Sequence, residues 1–293
     1  MDTMRRIGIL GVGLIGGSLA LDLKRKLKGL EVLGVDASEA NLELALERGV
    51  IDRALTRPGE ELRECDVVVF ATPLGAMESL MAACEPLLRG LEGSAILTDV
   101  GSAKRLTLSQ FKRRMPGFYP RCVAAHPIAG SDRSGAGAAR FGLFEGKKTI
   151  LCRHEGQDAA AFAAVEAMWR AAGASTLAMD AQEHDAALAC VSHLPHLLSF
   201  AYVDMLGQTP GKNDLLELAG TGFRDFTRIA QSSPDMWADI SAANADALIG
   251  LIDGYVQTLG ALRGALRTGD KAALKDMFKR SKALREAWQA ARE

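Results

Sequence analysis

The chain has 293 residues and an almost balanced charge, with 35 lysines and arginines against 36 acidic residues and a formal net charge of −1. This balance predicts no nucleic-acid partner, and because no uncharged apolar run reaches about 18 residues we expect no membrane span either. Five dispersed cysteines without a C-x-x-C pair disfavour a disulfide framework and a zinc site, and the chain start leaves no room for a cleavable signal, so the expected compartment is the reducing cytoplasm.

The first half of the chain alternates strand-like and helix-like segments. Apolar runs predict strands at 7–10, 32–35, 67–71, 95–100, 123–125 and 149–152. Helical patterns lie between most of them, at 14–27, 38–47, 75–88 and 103–115. Alternation of this kind is typical of βαβ units with right-handed crossovers. We therefore predict an α/β domain of the Rossmann type, with a doubly wound and mostly parallel sheet.

The second half has a different character. A helical pattern ends at Gly173, "ASTLAM" is the last strand-like piece, and no convincing strand follows Met179. Helix starts are predicted at Asp180, at Ser233 and at Asp270, and the helices are expected to cover 180–206, 234–266 and 270 to the end. The chain is accordingly divided into an α/β domain over 1–165 and an all-α domain over 166–293.

A glycine-rich loop follows the first predicted strand. Gly11, Gly13 and Gly16 form a G-x-G-x-x-G pattern that opens a helix. Glycines at these positions allow a tight turn and a close approach of the backbone to a pyrophosphate. The helix start, which includes Leu14 and Ile15, offers unpaired N–H groups to the phosphates. The pattern predicts a dinucleotide site, and the alternative is a glycine-rich turn that binds nothing.

The second predicted strand ends in Asp36, twenty residues after Gly16. An acid at this spacing accepts hydrogen bonds from a ribose diol. Because its negative charge would repel a 2′-phosphate, it favours NAD over NADP.

Further loops fall at the carboxyl ends of later strands, where ligands of open α/β sheets collect. They are "ATPLGAM" with Thr72 and Pro73, "TDVGSAK" with Ser102, and "HPIAGSD" with His126. Thr72 and Ser102 are also compatible with ordinary helix caps or turns. His126 either takes part in chemistry or merely ends a strand.

Two polar clusters stand out in the helical half. His193 and His196 lie three residues apart, with Pro195 expected to kink or restart the helix. Both are either hydrogen-bonded within the protein or ligands of a metal ion. His184 is not excluded as a third ligand, but no acid or cysteine has a convincing spacing. We therefore predict no metal. Asp225 and Arg228 have two possible roles. They form a surface ion pair worth about 0.2–0.5 kcal/mol, or Asp225 orients the Arg228 guanidinium to bind a substrate carboxylate.

Six segments, in this order, resemble the prephenate/arogenate (cyclohexadienyl) dehydrogenase family, TyrA: "GVGLIGGSLA", "TDVGSAK", "HPIAGSDRSG", "EGKKTIL", "VSHLPH" and "GFRDFTRIA…MW". The resemblance covers nearly the whole chain. It implies a nucleotide-binding domain followed by a helical substrate-binding domain that forms a homodimer. It also implies NAD-dependent oxidative decarboxylation of prephenate or arogenate, giving 4-hydroxyphenylpyruvate or tyrosine in tyrosine biosynthesis.

The same resemblance implies roles for individual residues. His126 is similar to the histidine that bonds the 4-hydroxyl of the substrate and accepts its proton, and Ser102 to its neighbour on the nicotinamide side. Arg228 resembles the arginine that binds a substrate carboxylate, with Asp225 orienting it. The remaining expected pocket residues are Ser192, His193, His196, Trp237 and Asp132.

Two alternatives remain. One is another Rossmann-plus-helical dehydrogenase, of the β-hydroxyacid or imine-reducing type. Hydroxyacid members of that class use a lysine on the first long helix of the second domain, and no lysine occurs between Lys148 and Lys212. The other is a non-enzymatic NAD-binding sensor, which would have no use for His126, Ser102 and Arg228 together.

Overall fold

The computed structural model describes residues 4–131 and 133–291. Eight β-strands are formed within these ranges. They are β1 (Arg6–Leu10), β2 (Glu31–Val35), β3 (Arg53–Leu55), β4 (Val67–Phe70), β5 (Ile96–Asp99), β6 (Cys122–Pro127), β7 (Lys148–Arg153) and β8 (Ser175–Asp180).

Helices occur between most strands and make up the rest of the described chain. The predicted starts are confirmed, because Asp180, Ser233 and Asp270 each accept a hydrogen bond from a first-turn N–H group. The helices are α1 (Leu14–Lys26), α2 (Glu39–Glu47), α3 (Leu74–Leu88), α4 (Lys104–Arg114), α5 (Ala159–Ala171), α6 (Ala181–Leu188), α7 (Leu194–Gly207), α8 (Lys212–Glu217), α9 (Thr221–Thr227), α10 (Pro234–Ala243), α11 (Ala245–Thr268) and α12 (Lys271–Ala290).

The strands form one sheet in the order β3-β2-β1-β4-β5-β6-β7-β8. Pairing is parallel from β3 through β6, β7 is antiparallel to β6, and β8 is parallel to β7. Strand order reverses between β1 and β4, which is where ligands bind in open α/β sheets. The predicted α/β fold with a mostly parallel sheet and a helical second half is confirmed.

Some elements were not predicted. β3 has only three residues and begins with the half-buried Arg53, so it lacks the apolar run that marks a strand. The short helices α8 and α9 lie in segments without a long apolar pattern. The helix expected over 234–266 is two helices, α10 and α11, separated at Asn244. The break is stabilised by the amide of Asn244, which donates a hydrogen bond to the carbonyl oxygen of Asp185 at 2.7 Å.

The predicted division between residues 165 and 166 falls inside α5. This helix buries Phe162, Val165, Met168 and Trp169 in the core of the sheet, and β8 then joins the sheet as its last strand. The sheet therefore extends to Asp180. By contact density the chain has two compact units, one that ends at Asn244 and one that begins at Ala245.

One helical run, Ala181–Gly207, is long and apolar enough to cross a membrane by length and composition alone. It consists of α6, a π-helical turn over Ala189–His193, and α7. A core helix passes the same test, so this is weak evidence for a span. The run buries His184, Asp185 and His193, and all three side chains form hydrogen bonds within the protein.

Candidate active site

The loop between β1 and α1 is shaped by its glycines. Gly11 has φ of 102°, and a Cβ atom there would lie 2.5 Å from the carbonyl oxygen of Ala71. A Cβ atom at Gly16 would collide with the carbonyl oxygen of Gly11. Gly13 has no atom within 4 Å of its Cβ position. The fold itself thus requires the first and third glycines, whereas the second leaves open space before the N–H groups of α1, as a pyrophosphate needs.

Asp36 holds this loop in place. Its carboxylate accepts hydrogen bonds from the N–H groups of Val12 at 3.1 Å and Ser38 at 3.0 Å, and from the Asn41 amide at 3.1 Å. A carboxylate has about four acceptor positions. One therefore remains for a ribose hydroxyl.

The loop after β4 carries Thr72 and Pro73. The Thr72 hydroxyl is buried and has no hydrogen-bond partner among the described residues. Close by, the N–H of Gly75 donates to the Asp239 carboxylate of α10 at 2.9 Å. Buried hydroxyl groups in proteins are normally paired. The unpaired hydroxyl and the open space at Gly13 both fit a bound dinucleotide.

A buried ion pair fixes the backbone in front of His126. Asp99 and Lys104 are fully buried and bonded to each other. The Asp99 carboxylate accepts from the N–H of Ala125 at 3.1 Å, and Lys104 Nζ donates to the Ala125 carbonyl oxygen at 2.7 Å. The β5–β6 ladder ends at the pair Thr98–Val123. Beyond it, side chains take over the backbone groups of β6 and set the position of the next residue.

His126, His184 and Asp185 form a hydrogen-bonded series of three side chains, with His126 at one end. Its Nδ1 lies 2.8 Å from His184 Nε2, and His184 Nδ1 lies 2.8 Å from the Asp185 carboxylate. Asp185 in turn accepts from the backbone N–H groups of Lys104 at 2.8 Å and Arg105 at 3.0 Å, at the start of α4. His126 Nε2 has no hydrogen bond to the described residues, so it is the nitrogen left for a ligand.

Burial and neighbouring charges keep the rings of His126 and His184 neutral. Burial, followed by the charges of His184, Lys104 and His193, lowers the pKa of His126 well below 6.5. Burial also lowers the pKa of His184. For Asp185, burial acts to raise the pKa, but the hydrogen bonds from His184 and from the start of α4 outweigh it and hold that pKa below its ordinary value. A neutral ring at His126 is able to accept a proton.

Ser102 lies in the loop between β5 and α4. Its side chain is partly exposed and its hydroxyl makes no hydrogen bond to the described residues. β5 and β6 are adjacent and parallel, so Ser102 and His126 follow neighbouring strand ends. The structure therefore places the two predicted catalytic residues at the same edge of the sheet.

A second group of predicted residues is brought together by α7 and α10. The His196 ring stacks on Trp237, with centroids 3.8 Å apart and planes at 20°. His196 Nδ1 lies 2.9 Å from the Ser192 carbonyl oxygen. His193 packs edge-on against Trp237 and its Nδ1 lies 3.2 Å from the Asn244 amide. Burial lowers the pKa of His193 to about 4.

The two histidines are thus hydrogen-bonded to different residues, His196 to Ser192 and His193 to Asn244. Among the described residues, no group of three or more histidines, cysteines and acids is arranged to hold a metal ion.

Burial and the charge of Arg228 lower the pKa of His196. Asp225 is not the partner of Arg228. The Asp225 carboxylate faces Arg224 at 3.6 Å, and both side chains are 74% exposed. Helix α9 ends at Thr227, and Arg228 begins a 3₁₀ turn. The expected orienting role of Asp225 is therefore corrected. Asp132, the other predicted pocket acid, lies outside the described residues.

Sequence reasoning missed five residues of this site. Asp99 and Lys104 lie in the recognised "TDVGSAK" segment, where opposite charges flanking the end of an apolar strand were a usable signal. His184 was considered only as a possible metal ligand. Asp185 and Asn244 carry no local signal, because their partners are distant in sequence.

A dinucleotide-binding loop follows β1, and a neutral histidine lies at the carboxyl end of β6 in the same sheet. Together these two features define a class of protein. That class is the dinucleotide-dependent dehydrogenases.

Comparison with known proteins identifies the family. Residues 19–178 match the family model of the prephenate dehydrogenase nucleotide-binding domain, and residues 180–280 match that of the prephenate dehydrogenase dimerization domain. Prephenate dehydrogenase of Bacillus subtilis is 33% identical over 278 residues, which is 94% of this chain and 74% of that protein. Cyclohexadienyl dehydrogenase of Zymomonas mobilis is 31% identical over 289 residues, 98% and 97% of the two chains. The chain belongs to the prephenate dehydrogenase family.

Solved structures of similar proteins support the same family. Prephenate dehydrogenase from Aquifex aeolicus, in complex with hydroxyphenyl propionate and NAD⁺, is 30% identical with a TM-score of 0.87, covering 97% of this chain and 99% of that one. Arogenate dehydrogenase from Synechocystis is 27% identical with a TM-score of 0.80, again covering 97% and 99%. The predicted family, nucleotide-binding domain and oxidoreductase class are confirmed.

Proposed function

We propose that the protein catalyses NAD-dependent oxidative decarboxylation of prephenate, of arogenate, or of both, in tyrosine biosynthesis. The observation that carries this proposal is the neutral His126, bonded through Nδ1 to His184 and placed with Ser102 at the edge of the sheet that holds the glycine cradle. The product is 4-hydroxyphenylpyruvate from prephenate and tyrosine from arogenate.

The residues of the site divide the work of the reaction. His126 Nε2 accepts the proton of the ring 4-hydroxyl, and Ser102 holds that hydroxyl in line. NAD, when bound, supplies the hydride acceptor. As the ring carboxylate leaves as carbon dioxide the ring becomes aromatic, which supplies much of the driving force. The main tasks of the protein are therefore to position the substrate and to remove one proton.

The cofactor cradle has a defined set of contacts. The pyrophosphate of a bound NAD would be held by the open space in front of Gly13 and the N–H groups at Leu14, Ile15 and Gly16, and its ribose diol by the remaining acceptor position of Asp36. Thr72 and Pro73 border the same crevice, where the unpaired Thr72 hydroxyl would gain a partner in the bound cofactor. Because a 2′-phosphate would face the Asp36 carboxylate, the preferred cofactor is NAD and not NADP.

The substrate is held from the helical side. Arg228 binds a carboxylate through its guanidinium fork. Trp237 and His196 form one wall, with Ser192 and His193 behind it. Prephenate and arogenate share the ring, its hydroxyl and its carboxylate, so we infer a cyclohexadienyl dehydrogenase that accepts either substrate.

Three further proposals concern the whole protein. The cofactor-binding half ends at Asp180. The protein works in the cytoplasm, and it forms a homodimer through its C-terminal helices.

The deciding experiment follows NADH formation with prephenate and with arogenate in wild type and in His126→Asn. Loss of the proton acceptor is expected to lower kcat by about 10²–10⁴-fold. The matched control is His154→Asn, at a histidine whose ring bonds the carbonyl oxygen of Cys122 at the other end of β6. It should retain wild-type turnover. Wild-type turnover in the His126 variant would overturn the assigned role.

A further inference from the structure

We propose that His184 and Asp185 are positioning residues that fix the tautomer of His126, so that Nδ1 carries the proton and Nε2 presents a free lone pair to the substrate hydroxyl. The catalytic consequence of this proposal rests on the proposed function. The tautomer itself does not.

The series of hydrogen bonds begins at the Asp185 carboxylate, which remains ionised. Asp185 sits before the first turn of α4 and accepts two of its backbone N–H groups, at 2.8 and 3.0 Å. A helix N-terminus stabilises negative charge, and these hydrogen bonds lower the pKa of the carboxyl. An ionised carboxylate only accepts hydrogen bonds. His184 Nδ1, 2.8 Å away, must therefore carry a proton.

The second step follows from the neutrality of His184. A neutral imidazole protonated on Nδ1 is an acceptor on Nε2. The alternative is a doubly protonated His184, which would be a cation close to the buried ammonium group of Lys104, and burial and that charge both oppose it. His184 Nε2 and His126 Nδ1 lie 2.8 Å apart and share one proton. Because His184 accepts, His126 donates.

The third step sets the reactive atom. With Nδ1 protonated, neutral His126 has its lone pair on Nε2, the nitrogen without a hydrogen bond to the described residues. In the opposite tautomer Nε2 would carry a hydrogen and would donate to the substrate hydroxyl instead of accepting from it. A carboxylate that fixes the tautomer of a catalytic imidazole is a known device in enzymes. Here a second histidine transmits the effect.

The first test reads the tautomer directly and needs no substrate. The chain has five histidines, so ¹⁵N-histidine labelling yields five pairs of ring-nitrogen signals, and His126→Asn identifies the pair of His126. In wild type we expect Nδ1 of His126 to be protonated and Nε2 to be bare. In His184→Phe, which keeps a ring and removes the acceptor, the signals should show a mixture of both tautomers.

The second test separates positioning from packing. His184→Phe is expected to lower kcat by about 10²-fold with little change in KM. His184→Gln offers an amide oxygen to the same N–H group and should recover kcat to within about tenfold of wild type. If His184 had only a structural role, His184→Gln would not recover both kcat and the wild-type tautomer of His126. His154→Phe is the matched control and should leave both readouts unchanged.

Asp185→Asn tests the first link and remains informative if His184→Phe does not fold. One amide oxygen cannot serve all the donors that the two carboxylate oxygens serve, and a flipped amide would donate to His184. We expect a mixed His126 tautomer and a loss of kcat smaller than in His184→Phe. A bare Nδ1 on His126 in wild type, or an unchanged tautomer and kcat in the variant that does fold, would overturn the proposal. If wild type forms no NADH from either substrate while the signals are as expected, the proposed function fails and the tautomer assignment stands.

Discussion

At the scale of single residues, the site consists of histidines whose charge is suppressed. His126, His184, His193 and His196 all have a lowered pKa, and burial is the largest cause for each. Sequence motifs predict His126, Ser102 and Arg228 as residues of this site. They did not reveal His184 and Asp185, whose role depends on distances that only the folded chain defines.

The pH dependence of the reaction should follow the pKa of His126. Proton acceptance requires the neutral ring, so activity is present above this pKa and lost as the pH falls through it. Because burial places the pKa well below 6.5, kcat/KM for prephenate should stay level as the pH falls past 6.5 and decline only at lower pH. Circular dichroism at each pH separates this decline from unfolding. An acid limb centred at or above 6.5 would contradict the assignment.

Arg228 and Arg224 provide a matched pair of arginines in neighbouring turns. Arg228→Ala should raise KM for prephenate by about 10–10²-fold with a smaller effect on kcat, because a charge-assisted contact to a carboxylate is made before and during the transition state alike. Steady-state NADH kinetics measure both constants. Arg224→Ala, which removes only an exposed pair with Asp225, should change neither. An unchanged KM in the Arg228 variant would argue against the carboxylate contact.

At the scale of elements, short loops between strands and helices decide where ligands bind. The βαβ pattern, the glycine loop and the helix caps were predictable because each depends on neighbouring residues. The break at Asn244 was not, because the α10–α11 segment reads as one helix and the side chain that stabilises the break finds its partners in α6 and in the π-helical turn.

Two glycines of the β1–α1 segment, Gly16 and Gly13, should separate folding from binding. Gly16→Ala places a Cβ atom against the carbonyl oxygen of Gly11 and should lower the free energy of unfolding by about 1–3 kcal/mol. Gly13→Ala meets no atom within 4 Å and should fold with a change within about 1 kcal/mol. It should nevertheless raise the Kd for NAD about tenfold or more, because the methyl group takes the pyrophosphate space. Urea unfolding and calorimetric titration measure the two effects. Wild-type NAD affinity in Gly13→Ala would place the phosphates elsewhere.

At the scale of the whole molecule, the second unit leaves apolar side chains uncovered. Ile249 and Val256 of α11 are each 59% exposed, and Leu259 is 45% exposed. With Ile252 they recur at helical spacing and form one stripe. Large contiguous apolar patches on a protein surface mark interaction sites. The stripe lies in the segment that matches a dimerization domain, which supports the homodimer proposed above.

Adding charge to this stripe should weaken self-association. Val256→Lys buries a charge in the proposed interface and should shift the protein from dimer to monomer, as measured by size-exclusion chromatography with light scattering. Gln257→Lys adds the same charge one residue later, off the stripe, and should remain dimeric. If both variants keep the wild-type mass, the stripe is not the interface.

The sequence by itself determined the class of fold, the cofactor loop and the family, because periodicity, glycine spacing and motif order are local properties. Only the tertiary structure decided which side chains act together. His126 and His184 are 58 residues apart and meet through the packing of α6 against α4 and the sheet. Asp225 and Arg228 are three residues apart, yet the Asp225 carboxylate faces Arg224 instead. Hydrogen-bond partners depend on distances within a few ångströms, and those distances are a property of the packed chain.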